Sequence, residues 1–73
     1  MRTLREWRVS RLLGTKRLAA LAGVSNKTVI DLEYGRKSPS FGSMAKLSAA
    51  LGVEPGEVAE FAAALEERGK DAA

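Results

Sequence analysis

Between Asn26 and Tyr34 the sequence NKTVIDLEY sets an amide, an ammonium, a carboxylate and a phenol within nine residues. At ~100° per residue around a helix axis, Thr28, Val29 and Leu32 gather on one side. Asn26, Lys27, Ile30, Asp31 and Tyr34 gather on the other, with Glu33 at the border. Together the outward groups form a hydrogen-bonding surface. An amide can pair with two atoms of adenine and an ammonium can donate to guanine. A carboxylate can accept from the cytosine amino group, and an aliphatic can touch a thymine methyl. An exposed Ile beside an exposed Tyr is a poor choice for water alone. The group fits the groove of a duplex; the competing reading is that Ile30 folds back onto the preceding helix or onto a partner chain.

The rest of the composition narrows the chemistry. The chain has no Cys and no His, so it lacks a thiol and the commonest general base and metal ligand. It has no glycine-rich phosphate loop and no carboxylate pair at ligand spacing. An enzyme, a bound metal and a cofactor are therefore not expected. At 73 residues this is one small domain, near the lower limit for a single core. No apolar run is long enough to span a membrane, and no signal-peptide pattern is present. The reading is a cytoplasmic protein, nucleoid-associated in a bacterium. Net charge is +3, unevenly spread: residues 1–46 carry ten Lys/Arg against three acids, and residues 47–73 carry two against six. One end suits a polyanion and the other repels it.

The elements that must position these groups are all helical. Thr3 and Glu6 stand at capping-box spacing and open a helix that should run to about Leu13 and stop at Gly14, with Leu4, Trp7 and Arg8 on one face, continued by Arg11 and Leu12. A second helix spans about Thr15–Ala22 with an apolar stripe of Leu18, Leu21 and Ala22. Lys16 and Arg17 lie in its first turn, where the helix dipole disfavours each by about 0.3 kcal/mol or more unless a phosphate sits there. The third helix covers Asn26–Tyr34, capped by Ser25 and stopped by Gly35. Ser38-Pro39 is extended. Ser40 caps a fourth helix, Phe41–Leu51, with Phe41, Met44, Leu47, Ser48 and Leu51 in register. A fifth begins near Pro55 with Val58, Phe61, Ala62 and Leu65 on one stripe. From Arg68 onward the chain reads as a frayed tail, so the domain is 1–67 and the tail 68–73. The fold class is all-α, a bundle of five short helices.

Leu4 to Val53 resembles the Cro/repressor-type (XRE-like) helix-turn-helix domain. The likeness rests on Leu-Ala-x-Leu-Ala-Gly-Val-Ser at 18–25, Thr-Val-x-x-Leu-Glu-x-Gly-Arg at 28–36, Pro-Ser at 39–40 and Leu-Gly-Val at 51–53. It implies that the second and third helices form the helix-turn-helix, with the third entering the major groove. Asn26 and Lys27 match the family's principal base readers, with Asp31 one turn on and Ile30 between them. Thr15 and Thr28 fall at positions the family uses on the DNA backbone, Arg36 and Lys37 lie in its basic loop, and Ser40 and the amides of Phe41 and Gly42 would meet phosphate; Lys16, Arg17 and Tyr34 are expected at the backbone too. Arg8 and Glu33 match a pair that forms a buried, structural salt bridge. This sequence departs from the family in having Gly14 at a usual capping position, Thr15 for a usual Gln, Ile30 for a polar residue, and an acid at position 31, which should repel phosphate unless it accepts from cytosine or pairs with Lys27 four residues before it.

The expectation is a sequence-specific, double-stranded DNA-binding transcriptional regulator that neutralises ~4–6 phosphates per subunit. A homodimer on a near-palindrome with half-sites ~34 Å apart is expected. Val58, Phe61, Ala62 and Leu65 are either its contacts or core against Leu4 and Trp7. The alternative is an antitoxin or adaptor whose main partner is a second protein. No effector domain follows, so any switch is expected from a partner, from expression level or from proteolysis.

Overall fold

A computed structural model describes the backbone of residues 1–72 and the side chains of residues 1–69. The chain forms an all-α bundle: α1 (Leu4–Ser10), α2 (Thr15–Ala22), α3 (Asn26–Glu33), α4 (Phe41–Leu51), a 3₁₀ turn (Pro55–Glu57) and α5 (Ala59–Ala72). Side chains start three of these helices by accepting otherwise orphaned amides. Thr3 and Glu6 exchange bonds of 3.1 and 2.8 Å, and Ser25 and Ser40 accept from the amides of Thr28 and Ser43 at 3.0 and 3.1 Å. Gly14 offers α2 no such bond.

The core is one cluster to which every helix contributes, with Leu4, Leu18, Val29, Leu47, Val58 and Phe61 fully buried. The N-terminal segment closes the bundle against α5. The Ala59 amide donates to the Arg2 carbonyl (2.9 Å), and Glu60 accepts from the Leu4 amide (2.8 Å). Trp7 Nε1 donates to the Glu57 carbonyl at 2.8 Å, while the guanidiniums of Arg2 and Arg11 lie 4.9 and 5.2 Å from its ring centre. Arg11 also donates to the Leu51 carbonyl at 3.0 Å, which ties α1 to the end of α4.

Five sequence expectations are corrected. The α2 stripe is Leu18, Ala19 and Ala22, and Leu21 faces solvent. Helix α2 packs on both α3 and α4, and the two alanines leave room for that double contact. Phe41 points outward at the start of α4. The fifth helix begins at Ala59, because Val58 is extended (φ −101°, ψ 122°) and pairs with Arg2. Helix α5 also continues through the stretch read as a tail, as far as Ala72; Ala73 lies outside the described residues. Arg68 anchors that part, donating to the Pro39 carbonyl at 2.6 Å and stacking 4.6 Å from the Phe41 ring centre.

The fifth correction concerns the end of α1. Helices α2, α3 and α4 each close on a left-handed glycine (Gly23, Gly35, Gly52), and the amide one residue further on returns to a carbonyl in the last turn. Helix α1 closes in the same way, with Leu13 N on Arg8 O at 3.2 Å, but the left-handed residue is Leu12 (φ 58°). The helix therefore ends at Ser10, and Leu12 stands 93% exposed instead of continuing the apolar face. A Cβ in that conformation costs about 1 kcal/mol or more. Against the extra unfolded-state entropy of glycine, Leu12→Gly should stabilise by about 0.5 kcal/mol, raising Tm by ~2–4 °C in a calorimetric scan. Inside α4, Ser48 is buried and its hydroxyl has no hydrogen-bond partner. Ser48→Ala should add about 1 kcal/mol in urea unfolding.

Candidate nucleic-acid interface

Helices α2 and α3 pack against each other through the turn Gly23-Val24-Ser25. Val24 is half-buried against the core, so the turn is plugged from inside. Val29 and Leu32 hold α3 to the bundle, and Lys27 and Tyr34 stand out from it, Tyr34 being 68% exposed.

The orientation of α3 is set largely by an ion pair. Arg8 of α1 donates to both carboxylate oxygens of Glu33, at 2.6 and 3.1 Å, and its remaining terminal nitrogen donates to the Leu13 carbonyl at 2.8 Å. The two side chains are 12% and 5% exposed. The hydrogen bond to Glu33 raises the Arg8 pKa, against the opposing effect of burial. One guanidinium thus joins α1, the α1–α2 turn and the last turn of α3.

The structure narrows the outward arc drawn from helical angles. Asp31, expected to face a base, is only 7% exposed. Its carboxylate takes Lys27 Nζ at 2.8 Å on one oxygen and stands 3.8 Å from Arg36 Nη1 on the other. The hydrogen bond from Lys27 lowers its pKa, with Lys27, Arg36 and Lys37 adding charge attraction and burial opposing, so it stays ionised at neutral pH. The cover comes from the chain itself. Gly35 turns left-handed (φ 69°), and the Arg36 amide returns to the Asp31 carbonyl at 2.8 Å. The basic loop is thereby folded over α3, with the Arg36 guanidinium 5.1 Å from the Tyr34 ring centre and Lys37 Nζ 3.4 Å from Thr28 Oγ1. Helical angles alone could not show this, because the cover is supplied from beyond the helix.

Other expected contacts fall as follows. Asn26 is half-buried and its Oδ1 is buried and unpaired. As placed, it cannot offer both amide atoms to adenine; the side chain must turn outward first. Ile30, Thr15 and Thr28 are half-buried, and Thr28 Oγ1 lies 2.8 Å from Ser25 Oγ. Lys16 and Arg17 are exposed on the first turn of α2, and Arg36, Lys37, Phe41 and Gly42 are exposed around the start of α4. Ser40 Oγ serves as the cap of α4. Val58 and Phe61 are wholly buried in the protein's own core, which removes them from any dimer contact, while Ala62 is half-buried and Leu65 is 37% exposed. The residue that sequence reasoning missed is Arg68. Its tie to Pro39 bridges 29 positions, and no local signal marks it. Among the described residues no group of three or more acids could hold a metal ion, and no helix is long and apolar enough to cross a membrane.

Two short helices locked through a plugged turn, the second bearing a cationic polar face, define a helix-turn-helix protein. Residues 4–58 match the family model described as helix-turn-helix. The chain belongs to that family, in its Cro/repressor-type (XRE-like) form, a DNA-binding regulatory family that is generally non-enzymatic. No match was found among curated proteins or solved structures.

The Arg8–Glu33 pair makes a direct test of how α3 is held. Glu33→Gln leaves a largely buried guanidinium short of its counter-charge and should cost about 3 kcal/mol in urea unfolding. Adding Arg8→Met to Glu33→Gln should recover part of that loss, because the unpaired charge goes with it.

Proposed function

We propose that this protein is a sequence-specific, double-stranded DNA-binding transcriptional regulator whose α3 enters the major groove. The observation that carries the reading is the grouping of cations around the helix-turn-helix. Lys16 and Arg17 open α2, Lys27 opens α3, and Arg36 and Lys37 follow it, all exposed. The first amides of a helix have no intrahelical acceptor, and those of Phe41 and Gly42 lie at an exposed start of α4. In this reading α2, the basic loop and the α4 start meet phosphates, and α3 chooses the site. Lys27 and an outward-turned Asn26 reach base edges first, with Ile30 and Tyr34 along the same side. Lys16 and Arg17, unfavourable at a helix start in the free protein, become favourable beside phosphate.

Binding as a homodimer follows from the small surface one such domain offers. With Val58 and Phe61 committed to the core, the contact falls to what α5 leaves outside, Leu65 with Ala62 at its edge. Half-sites would then lie ~34 Å apart on a near-palindrome.

The test is selection of bound sequences from a random duplex pool, combined with a salt series on a mixed-sequence duplex. The expected outcome is an enriched inverted repeat and a log K against log salt slope of about −4 to −5 per subunit. An unenriched pool with little salt dependence overturns the reading in favour of a protein-binding adaptor. Lys27→Met should erase preference at one or two base pairs while leaving the salt slope, set by the phosphate contacts, nearly unchanged.

A further inference from the structure

We propose that Asp31 reads no base itself and instead sets the spacing and direction of Lys27 and Arg36, so that it governs sequence preference through those two cations. The inference rests on the DNA reading above and assigns a residue role within it. A carboxylate that reads cytosine must carry an oxygen out to the amino group in the groove. Asp31 does not protrude: it is 7% exposed, and both its oxygens face cations of its own chain, at 2.8 Å from Lys27 and 3.8 Å from Arg36. Those cations are the reverse, with side chains 83% and 64% exposed.

Each cation is held from more than one side. Lys27 springs from the first turn of α3 and is gripped four residues on. Its ammonium has three donors, so pairing with Asp31 leaves two for base acceptors. Arg36 is fixed by its own amide on the Asp31 carbonyl (2.8 Å), by the carboxylate, and by the Tyr34 ring 5.1 Å away. A long flexible side chain loses rotamer freedom on docking. Lys27 and Arg36 have lost part of it before any duplex arrives. The same carboxylate lowers the net positive charge of the face, which weakens its attraction to phosphate of any sequence. One buried acid therefore acts in two directions, restraining indiscriminate binding and sharpening the choice of site.

The experiment compares wild type, Asp31→Asn, Asp31→Glu, Lys27→Met and the Asp31→Asn/Lys27→Met double variant. Each is measured on a mixed-sequence duplex across salt and by selection from a random duplex pool. Asp31→Asn should bind the mixed-sequence duplex roughly three- to tenfold more tightly at low salt, with a slope steeper by about 1. Its preference for the selected sequence should fall roughly five- to fiftyfold. In the Lys27→Met background Asp31→Asn should lose most of its effect on preference, since the group it acts through is gone. Asp31→Glu keeps the charge and should keep the mixed-sequence affinity while altering preference, which a merely structural acid would not do. It also carries the test if the Asn variant is unstable. An effect of Asp31→Asn confined to one base pair and equal in both backgrounds would make Asp31 a direct reader and overturn the inference. Duplex binding that neither Asp31 variant changes overturns it too. Wild-type protein that binds no duplex overturns the DNA reading, and this inference with it.

Discussion

The bidentate pair between Arg8 and Glu33 is the constraint on which the recognition surface depends. Helix α3 has only eight residues and two fully apolar anchors, Val29 and Leu32. Apolar contact is non-directional, so two such anchors hold the helix down without fixing its rotation. The guanidinium supplies the missing direction, since its planar fork accepts a carboxylate in one geometry. By also donating to the Leu13 carbonyl, it fixes the start of the α1–α2 turn relative to the end of α3. The apolar side of α3 chooses its outward face, and that lock holds the end of the helix in place.

Charge in this molecule is placed for structure as much as for partners. The acids of the C-terminal part look like a simple counterweight to the basic half, yet several have specific duties. Glu57 accepts from the Glu54 amide at 2.7 Å, and Glu60 accepts from Leu4 across the bundle. Glu6 closes the cap of α1. Basic residues divide likewise: Arg2 and Arg11 pack on Trp7, Arg8 holds Glu33, and Arg68 holds Pro39. The cations left exposed around α2 and α3 are Lys16, Arg17, Lys27, Arg36 and Lys37, of which Lys27 and Arg36 share Asp31.

Much of the fold was legible because its signals are local. The hydroxyl caps at Thr3, Ser25 and Ser40 and the glycine stops at 23, 35 and 52 each act within a few residues, and the starts of α1, α3 and α4 and the ends of α2, α3 and α4 follow from them. The failures have separate causes. Leu12 took a left-handed conformation without being glycine, so the end of α1 carried no punctuation to read. Leu21 and Ala19 exchanged roles because a helix touching two neighbours buries a stripe different from that of a helix touching one. Asp31 changed from a surface group to a covered one when a loop folded over it.

Sequence alone determined the class of architecture, the helix-turn-helix and the set of polar and cationic residues around it, because spacing, caps and composition are properties of neighbours along the chain. Tertiary structure decided how those residues divide the work. It covered Asp31 and added Arg36 to its pair with Lys27, committed Val58 and Phe61 to the core, and turned an expected tail into the anchor of the Pro39 loop. The physical reason is that burial depends on atoms packed onto a helix from outside it, from the next loop over Asp31 and from distant chain at Val58, Phe61 and Pro39, and helical periodicity carries no record of what will be packed on top.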